Sequence, residues 1–154
     1  MDANLVNPFI EATLSVLETT ASTEANLGKP FLKRESKALG DITGVISLSG
    51  EFNATIALSF TKDGILSIVS KMFGEELSEL NDEIKDAVGE ISNMVSGQVT
   101  NNISTLGDSL KAVLSTVILE QDHSIPHIGQ FPVVAFPFET GTGAFTIEVC
   151  FEKK

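Results

Sequence analysis

The sequence predicts an α+β fold: a duplicated α-β-β-β unit building a mostly antiparallel six-stranded sheet, with two long helices packed on one face. Three observations predict it. The order helix, strand, hairpin occurs twice, on either side of a short helix. The long helices carry apolar stripes in matching register: Ile10, Leu14, Leu17 and Ala21 answer to Ile84, Val88, Ile91 and Val95 at a constant offset of 74. Strand alternation repeats as well, with Ile56, Leu58 and Phe60 answering to Ile147, Val149 and Phe151 at an offset of 91.

Asn7-Pro8 reads as a helix start, with Asn7 as the cap and Pro8 in the first helical position. The stripe from Ile10 to Ala21 follows, and the helix fades in the Ser/Thr/Asn stretch before Gly28. Residues 30–38 read as a strand, and 42–60 as two strands joined at Ser49-Gly50. On the second of these Ile56, Leu58 and Phe60 alternate with Thr55, Ala57 and Ser59, which predicts one buried and one more polar face. A short helix runs to about Phe73 with Ile65, Ile68, Val69 and Met72 inward, and Gly74 is its stop. After the polar linker Glu75–Asn81 comes the longest helix, about 82–104, with Asp82 and Glu83 in a first turn where the helix dipole favours anions.

Strands near 113–120, 131–138 and 144–152 complete the order, with a loop around Pro126. Pro132 and Pro137 suit an edge strand. The last strand alternates Phe145, Ile147, Val149 and Phe151 inward with Thr146, Glu148, Cys150 and Glu152 outward. The whole chain, 1–154, reads as one domain with pseudo-repeats at roughly 5–60 and 82–152 and the short helix 62–73 between them.

Composition narrows the function classes. With 42% apolar and 20% charged residues, 154 residues can bury a sizeable core. A net charge of −11 disfavours nucleic-acid binding, which needs cations to replace phosphate counterions, and disfavours docking on anionic lipid. Ten Phe with no Trp or Tyr removes two common interface anchors. The basic cluster Lys33, Arg34 and Lys37, interrupted by Glu35, reads as a solvated strand face, with a contact patch as the alternative. One cysteine, Cys150, rules out an internal disulfide framework and a multi-cysteine zinc site. Neither a signal peptide nor a membrane-length apolar run is visible, so a cytoplasmic protein is expected.

The chemistry concentrates on the long helix. At about 100° per residue, Asp86, Glu90 and Asn93 fall within roughly 60° of one another, and Gly97 joins the same stripe. Ile84, Val88, Ile91, Val95 and Val99 lie opposite. Gly89 and Gly97 each cost about 1 kcal/mol relative to alanine in a helix interior. A missing side chain at Gly97 lets another molecule approach. An acid-rich helix face is ordinarily just a solvated face, so periodicity alone leaves both readings open.

The segment Asp86-Ala87-Val88-Gly89-Glu90-Ile91-Ser92-Asn93-Met94-Val95-Ser96-Gly97 resembles the helix motif of the CheC, CheX and FliY phosphatases: Asp or Ser, three residues, Glu, two residues, Asn. The opening Val6-Asn7-Pro8-Phe9, Glu11 and Val16-Leu17-Glu18 resembles the first helix of CheX proteins. At the offset of 74 the first helix holds Ala12, Val16 and Thr19, so the first copy lacks the Glu and Asn. One site per chain is similar to CheX, whereas many CheC proteins carry two. One departure is that the proline often found some twenty residues after the Asn is missing from Val113–Leu119.

That resemblance implies hydrolysis of the aspartyl phosphate on a phosphorylated CheY-like receiver in bacterial chemotaxis. Asn93 would orient the attacking water, Glu90 would pair with a receiver lysine, and Asp86 and Gly97 would contact the partner. No cofactor is expected on this chain, and magnesium is expected in the receiver. A homodimer joined through sheet edges is also implied. The competing readings are a non-catalytic module, CheC-like or flagellar-switch-like, that binds a receiver, and a dimeric adaptor. His123 and His127 have metal-ligand spacing but straddle Pro126 in a loop with no third ligand, so no metal site is expected. Cys150 reads as a packed or surface thiol, and Gly141 and Gly143 sit in a hairpin rather than before a helix.

Overall fold

The computed structural model describes residues 3–50, 53–104, 111–129 and 133–152. Local signals place most elements. Helix α1 spans Ala3–Ala21, α2 Lys62–Phe73 and α3 Asp82–Ser104. At α2, Thr61 accepts a hydrogen bond from the Gly64 N–H at 3.2 Å. The same helix closes on Gly74 at φ 69°, a left-handed conformation that glycine adopts without a Cβ penalty. Asn81 caps α3, its Oδ1 accepting from the Ile84 N–H at 3.1 Å.

One expectation shifts. Helix α1 begins at Ala3, so Pro8 lies inside it rather than at its first position. At the sixth helical position Pro8 lies beyond the four N–H groups that have no intrahelical partner, so it removes one helix hydrogen bond and crowds the carbonyl four residues earlier.

The strands are β1 Asn26–Leu27, β2 Phe31–Lys33, β3 Ile42–Ser49, β4 Ala54–Phe60, β5 Lys111–Ile118, β6 Val133–Glu139 and β7 Ala144–Phe151. Their order is β1-β6-β7-β4-β3-β5, with β2 beside β1 on the same flank of β6, and every described pairing is antiparallel. Six positions therefore hold seven strands. The expected strand at 30–38 shortens to β2 and ends at Lys33, with the unexpected β1 before it across Gly28-Lys29-Pro30; Lys37 returns only as an isolated bridge to Ser124. Pro137 faces this break: the Gly28 N–H donates to its carbonyl at 2.8 Å, so its missing N–H is on the side where the neighbouring strand is interrupted. Pro132 lies outside the described residues.

The sheet order is symmetric about the β4–β7 pair, as duplication requires. Ile56 pairs with Val149, Leu58 with Ile147, and Ala57 with Glu148 at the pseudo-twofold axis. The helix face buries Phe9, Leu17, Ile46, Ile56, Leu58, Phe60, Val88, Ile91, Val95, Phe138, Phe145, Ile147 and Val149 in one core. Phe145 stacks on Phe138 with ring centroids 4.9 Å apart.

The second sheet face is not a polar exterior. Thr55, Ala57, Ser59, Thr146, Glu148 and Cys150 are all buried. Two segments fold over them. Ile125 N–H donates to the Ser36 carbonyl at 2.8 Å, and Ala38 N–H to the His123 carbonyl at 2.9 Å, joining the stretch after β2 to the loop after β5. Alternation located the faces correctly, but a strand pattern carries no sign of a loop that will cover its polar side.

Candidate functional site on helix α3

Helix α3 lies against β3, β5 and α1 through Ile84, Ala87, Val88, Ile91, Val95 and Val99, all buried. Its other side carries Asp86, Glu90, Asn93 and Gly97, all exposed. The spacings of four, three and four residues align them in one stripe with neighbouring Cβ atoms about 5–6 Å apart. Among the described residues Asp86, Glu90 and Asn93 have no hydrogen-bond or ion-pair partner. Two carboxylates and a carboxamide are thus held by the helix with their polar atoms uncommitted. An amide can donate and accept at once without adding charge.

The glycines separate. A Cβ at Gly97 would meet nothing within 4 Å, and one at Gly89 would reach ordinary van der Waals contact, 3.6 Å from Leu114 Cδ2. Neither glycine is demanded by the chain's own packing. At Gly97 the unused space opens outward, on the stripe that carries the acids and the amide.

Burial corrects the register between the two long helices. Ala12 and Val16 are buried, whereas Asp86 and Glu90, their counterparts at an offset of 74, are exposed. An offset of 75 matches burial better: buried Phe9 falls with Ile84, Ala12 with Ala87, Thr13 with Val88, Val16 with Ile91 and Leu17 with Ser92. The true counterparts of Asp86, Glu90 and Asn93 are therefore Glu11, Ser15 and Glu18, all exposed. An apolar stripe fits either offset, because Ile10 and Leu14, counted as inward, are only half-buried. The first helix still lacks the Glu and the Asn at those positions.

The two histidines serve the second face separately. His127 Nε2 donates to Glu148 Oε1 at 3.0 Å, and its Nδ1 lies 2.6 Å from Thr55 Oγ1. His123 Nδ1 lies 2.8 Å from the Glu120 carbonyl, which can only accept, and its Nε2 lies 2.6 Å from Thr43 Oγ1. Lys33 Nζ reaches Glu148 Oε2 at 2.8 Å, with both side chains buried. Of the expected basic cluster Lys33 is thus an interior ion-pair partner; Lys37 meets Asp122 at 3.4 Å in the open. Among the described residues no group of three or more His, Cys, Asp or Glu is disposed to hold a metal. Cys150 is buried, and that burial pushes its thiol pKa up. A thiol kept protonated is a poor nucleophile. No described helix is long and apolar enough to cross a membrane.

Sequence reasoning missed what lies beneath the stripe. Gly44 on β3 sits directly under Ser92, whose hydroxyl is buried without a hydrogen-bond partner among the described residues. An isolated glycine inside a strand pattern is a signal of close approach and could have been read.

Known proteins resemble this chain over nearly its whole length. The family described as chemotaxis phosphatase CheX matches residues 42–139, a span that includes β3, β4 and all of α3. CheY-P phosphatase CheX from Thermotoga maritima is 27% identical over 143 residues, covering 90% of this chain and 92% of that protein. The solved chemotaxis protein CheX from Desulfovibrio desulfuricans is 36% identical, covers 97% of this chain and 99% of its own, and superposes with a TM-score of 0.85. A CheC-like superfamily protein from Shewanella sp. PV-4 is 34% identical over 99% of this chain and all of that one, with a TM-score of 0.90. A motif-bearing helix, a pseudo-twofold sheet and near full-length similarity converge on one conclusion: the chain belongs to the CheX family of chemotaxis phosphatases.

Proposed function

We propose that this protein accelerates hydrolysis of the aspartyl phosphate on a CheY-type receiver, with Asn93 placing the attacking water and Glu90 docking the partner. The observation that carries the reading is the exposed, uncommitted Glu90–Asn93 pair on α3. The site is an exposed helix face rather than a cleft. A face of this kind suits a macromolecular substrate that brings its own cleft, phosphoryl group and magnesium. Insertion of Asn93 then supplies position: its amide oxygen accepts from a water while its N–H donates toward the phosphoryl oxygens, with no added anion beside the transferring group. Glu90, one turn earlier, is placed to meet a receiver cation and fix the register of insertion. Asp86 is a further contact at the edge, and Gly97 leaves room for the receiver's backbone.

The reading includes a homodimer joined along sheet edges. Strand β5 pairs only with β3 among the described residues, which leaves a backbone edge that a second copy can cover. Sedimentation of the purified protein as a monomer would overturn this part.

The primary test follows the decay of a phosphorylated receiver with and without the protein. Wild type should accelerate decay. Asn93→Ala should lose about 10²-fold of that acceleration, and Glu90→Ala should chiefly raise KM. Binding without acceleration by wild type would favour the non-catalytic receiver-binding module, and unchanged acceleration by Asn93→Ala would exclude the role given to the amide.

A further inference from the structure

The turn of α3 that bears Glu90 and Asn93 rests on one residue of the sheet. Gly44 is on the helix face of β3, between the buried Ile42 and Ile46. A Cβ built there would run into Ser92 Oγ, well inside van der Waals contact, and would stand 3.3 Å from Val88 Cγ1. Val88 and Ser92 lie one turn apart on the inward side of α3, both with no exposed surface. Glycine at position 44 therefore leaves the space that Ser92 Oγ occupies, and a Cβ there must displace either that hydroxyl or the helix that carries it.

Ser92 is unusual on its own account. Its buried hydroxyl has no partner among the described residues. Further along the same helix, Ser96 Oγ donates to the Ser92 carbonyl and Thr100 Oγ1 to the Ser96 carbonyl, both at 2.9 Å. A buried hydroxyl left unpaired is costly, and alanine would pack the same turn without that cost. The position directly precedes Asn93 in the chain, and Glu90 is two residues back.

We infer that Gly44 and Ser92 form a seat that sets the height and rotation of the Glu90–Asn93 turn, making both of them positioning residues for the reaction. This rests on the reading of Asn93 given above. Water placement tolerates little error, since misplacement of about 1 Å can cost about 10²-fold in rate. Gly44→Ala presses on the Ser92 side of this turn without altering any group that touches the partner.

The test measures kcat and KM separately on a phosphorylated receiver, for wild type, Asn93→Ala, Gly44→Ala and the double variant Gly44→Ala/Ser92→Ala. Gly44→Ala should lower kcat about tenfold or more, a larger factor than its rise in KM, because water placement tolerates less displacement than the Glu90 contact. The double variant should recover most of kcat, because with Oγ gone the new methyl's nearest neighbours are Val88 Cγ1 at 3.3 Å and Ser92 Cβ at 3.5 Å. A Gly44→Ala protein that folds and keeps wild-type kcat overturns the seat, as does one whose lost kcat the second substitution does not restore. Should Gly44→Ala not fold, Ser92→Cys applies a smaller push from the helix side, and wild-type kcat there overturns the seat equally. An Asn93→Ala protein as active as wild type would instead defeat the underlying reading.

Discussion

Helices α1 and α3 occupy equivalent places in a duplicated fold and have diverged in opposite directions. Both bury one stripe in the same core, and at an offset of 75 the five buried positions of α1 from Phe9 to Leu17 all fall on buried positions of α3. Outward, α1 shows Glu11, Ser15 and Glu18 where α3 shows Asp86, Glu90 and Asn93. Helix α1 has 19 residues and no glycine; α3 has 23 and two. Packing constrains the inner faces of both helices alike, so the difference between the outer faces reports what each helix is used for. The fold supplies two platforms, and only the second carries a Glu and an Asn at these positions.

The largest effect should come from the pseudo-twofold axis, where the halves also differ. Ala57 and Glu148 face each other there, and only Glu148 is charged, bound to Lys33 at 2.8 Å and His127 at 3.0 Å. Glu148→Ala removes the counter-ion of a buried ammonium, which typically costs about 3–5 kcal/mol. Urea denaturation should show that loss, whereas a methionine in place of Lys33 together with Glu148→Leu should recover most of it. A Glu148→Ala midpoint equal to wild type would mean that the pair contributes nothing to holding the second face closed.

Next in size is the contrast between the helices themselves. Asn93→Ala should lose about 10²-fold of receiver dephosphorylation, while Glu18→Ala, its counterpart on α1, should leave the rate unchanged. Equal losses in the two variants would mean that α1 also serves the reaction, and the assignment of one site per chain would fall.

How much of this was legible beforehand follows from where each signal is stored. Both ends of α2 and the start of α3 were readable because Thr61, Gly74 and Asn81 satisfy backbone groups locally. The Asp86–Glu90–Asn93 stripe was readable because helical geometry alone decides what shares a face. The register between the helices was not, because Ile10 and Leu14 are apolar yet only half-buried, and one apolar stripe fits two offsets. Nor was the buried second face, since Glu148 and Thr55 look like exterior strand residues until the segments carrying Lys33 and His127 close over them. Contacts between residues more than seventy positions apart leave no mark on local periodicity.

A smaller effect divides stability from function at Gly97. Replacing a helix-interior glycine by alanine stabilises by about 0.5–1 kcal/mol where space allows, and space is open at Gly97. Gly97→Ala should therefore raise the melting temperature and also raise KM for the phosphorylated receiver. Gly89→Ala, facing β5 rather than the stripe, should raise the melting temperature with no change in KM. If Gly97→Ala leaves KM unaltered, the close approach assigned to that glycine is wrong.

The smallest expected signal is the most direct test of equivalence: rebuilding the stripe on α1. Glu11 already supplies an acid at the Asp86 position, so Ser15→Glu and Glu18→Asn complete the pattern. Ser22 stands where Gly97 does, but α1 has just ended there and Ser22 sits at φ 46°. Ser22→Gly both relieves that backbone strain and restores the open position. The surroundings differ, because Glu18 and Ser22 line a groove closed by Glu24 and Gly141 of the β6–β7 turn. A partner docking on α1 would have to accommodate that turn. The triple variant in an Asn93→Ala background should regain only a small fraction of wild-type activity, measured as receiver dephosphorylation above the Asn93→Ala parent. No gain at all, with α1 shown intact by circular dichroism, would mean that the platform itself has diverged and that access from the partner, more than the three side chains, distinguishes α3 from α1.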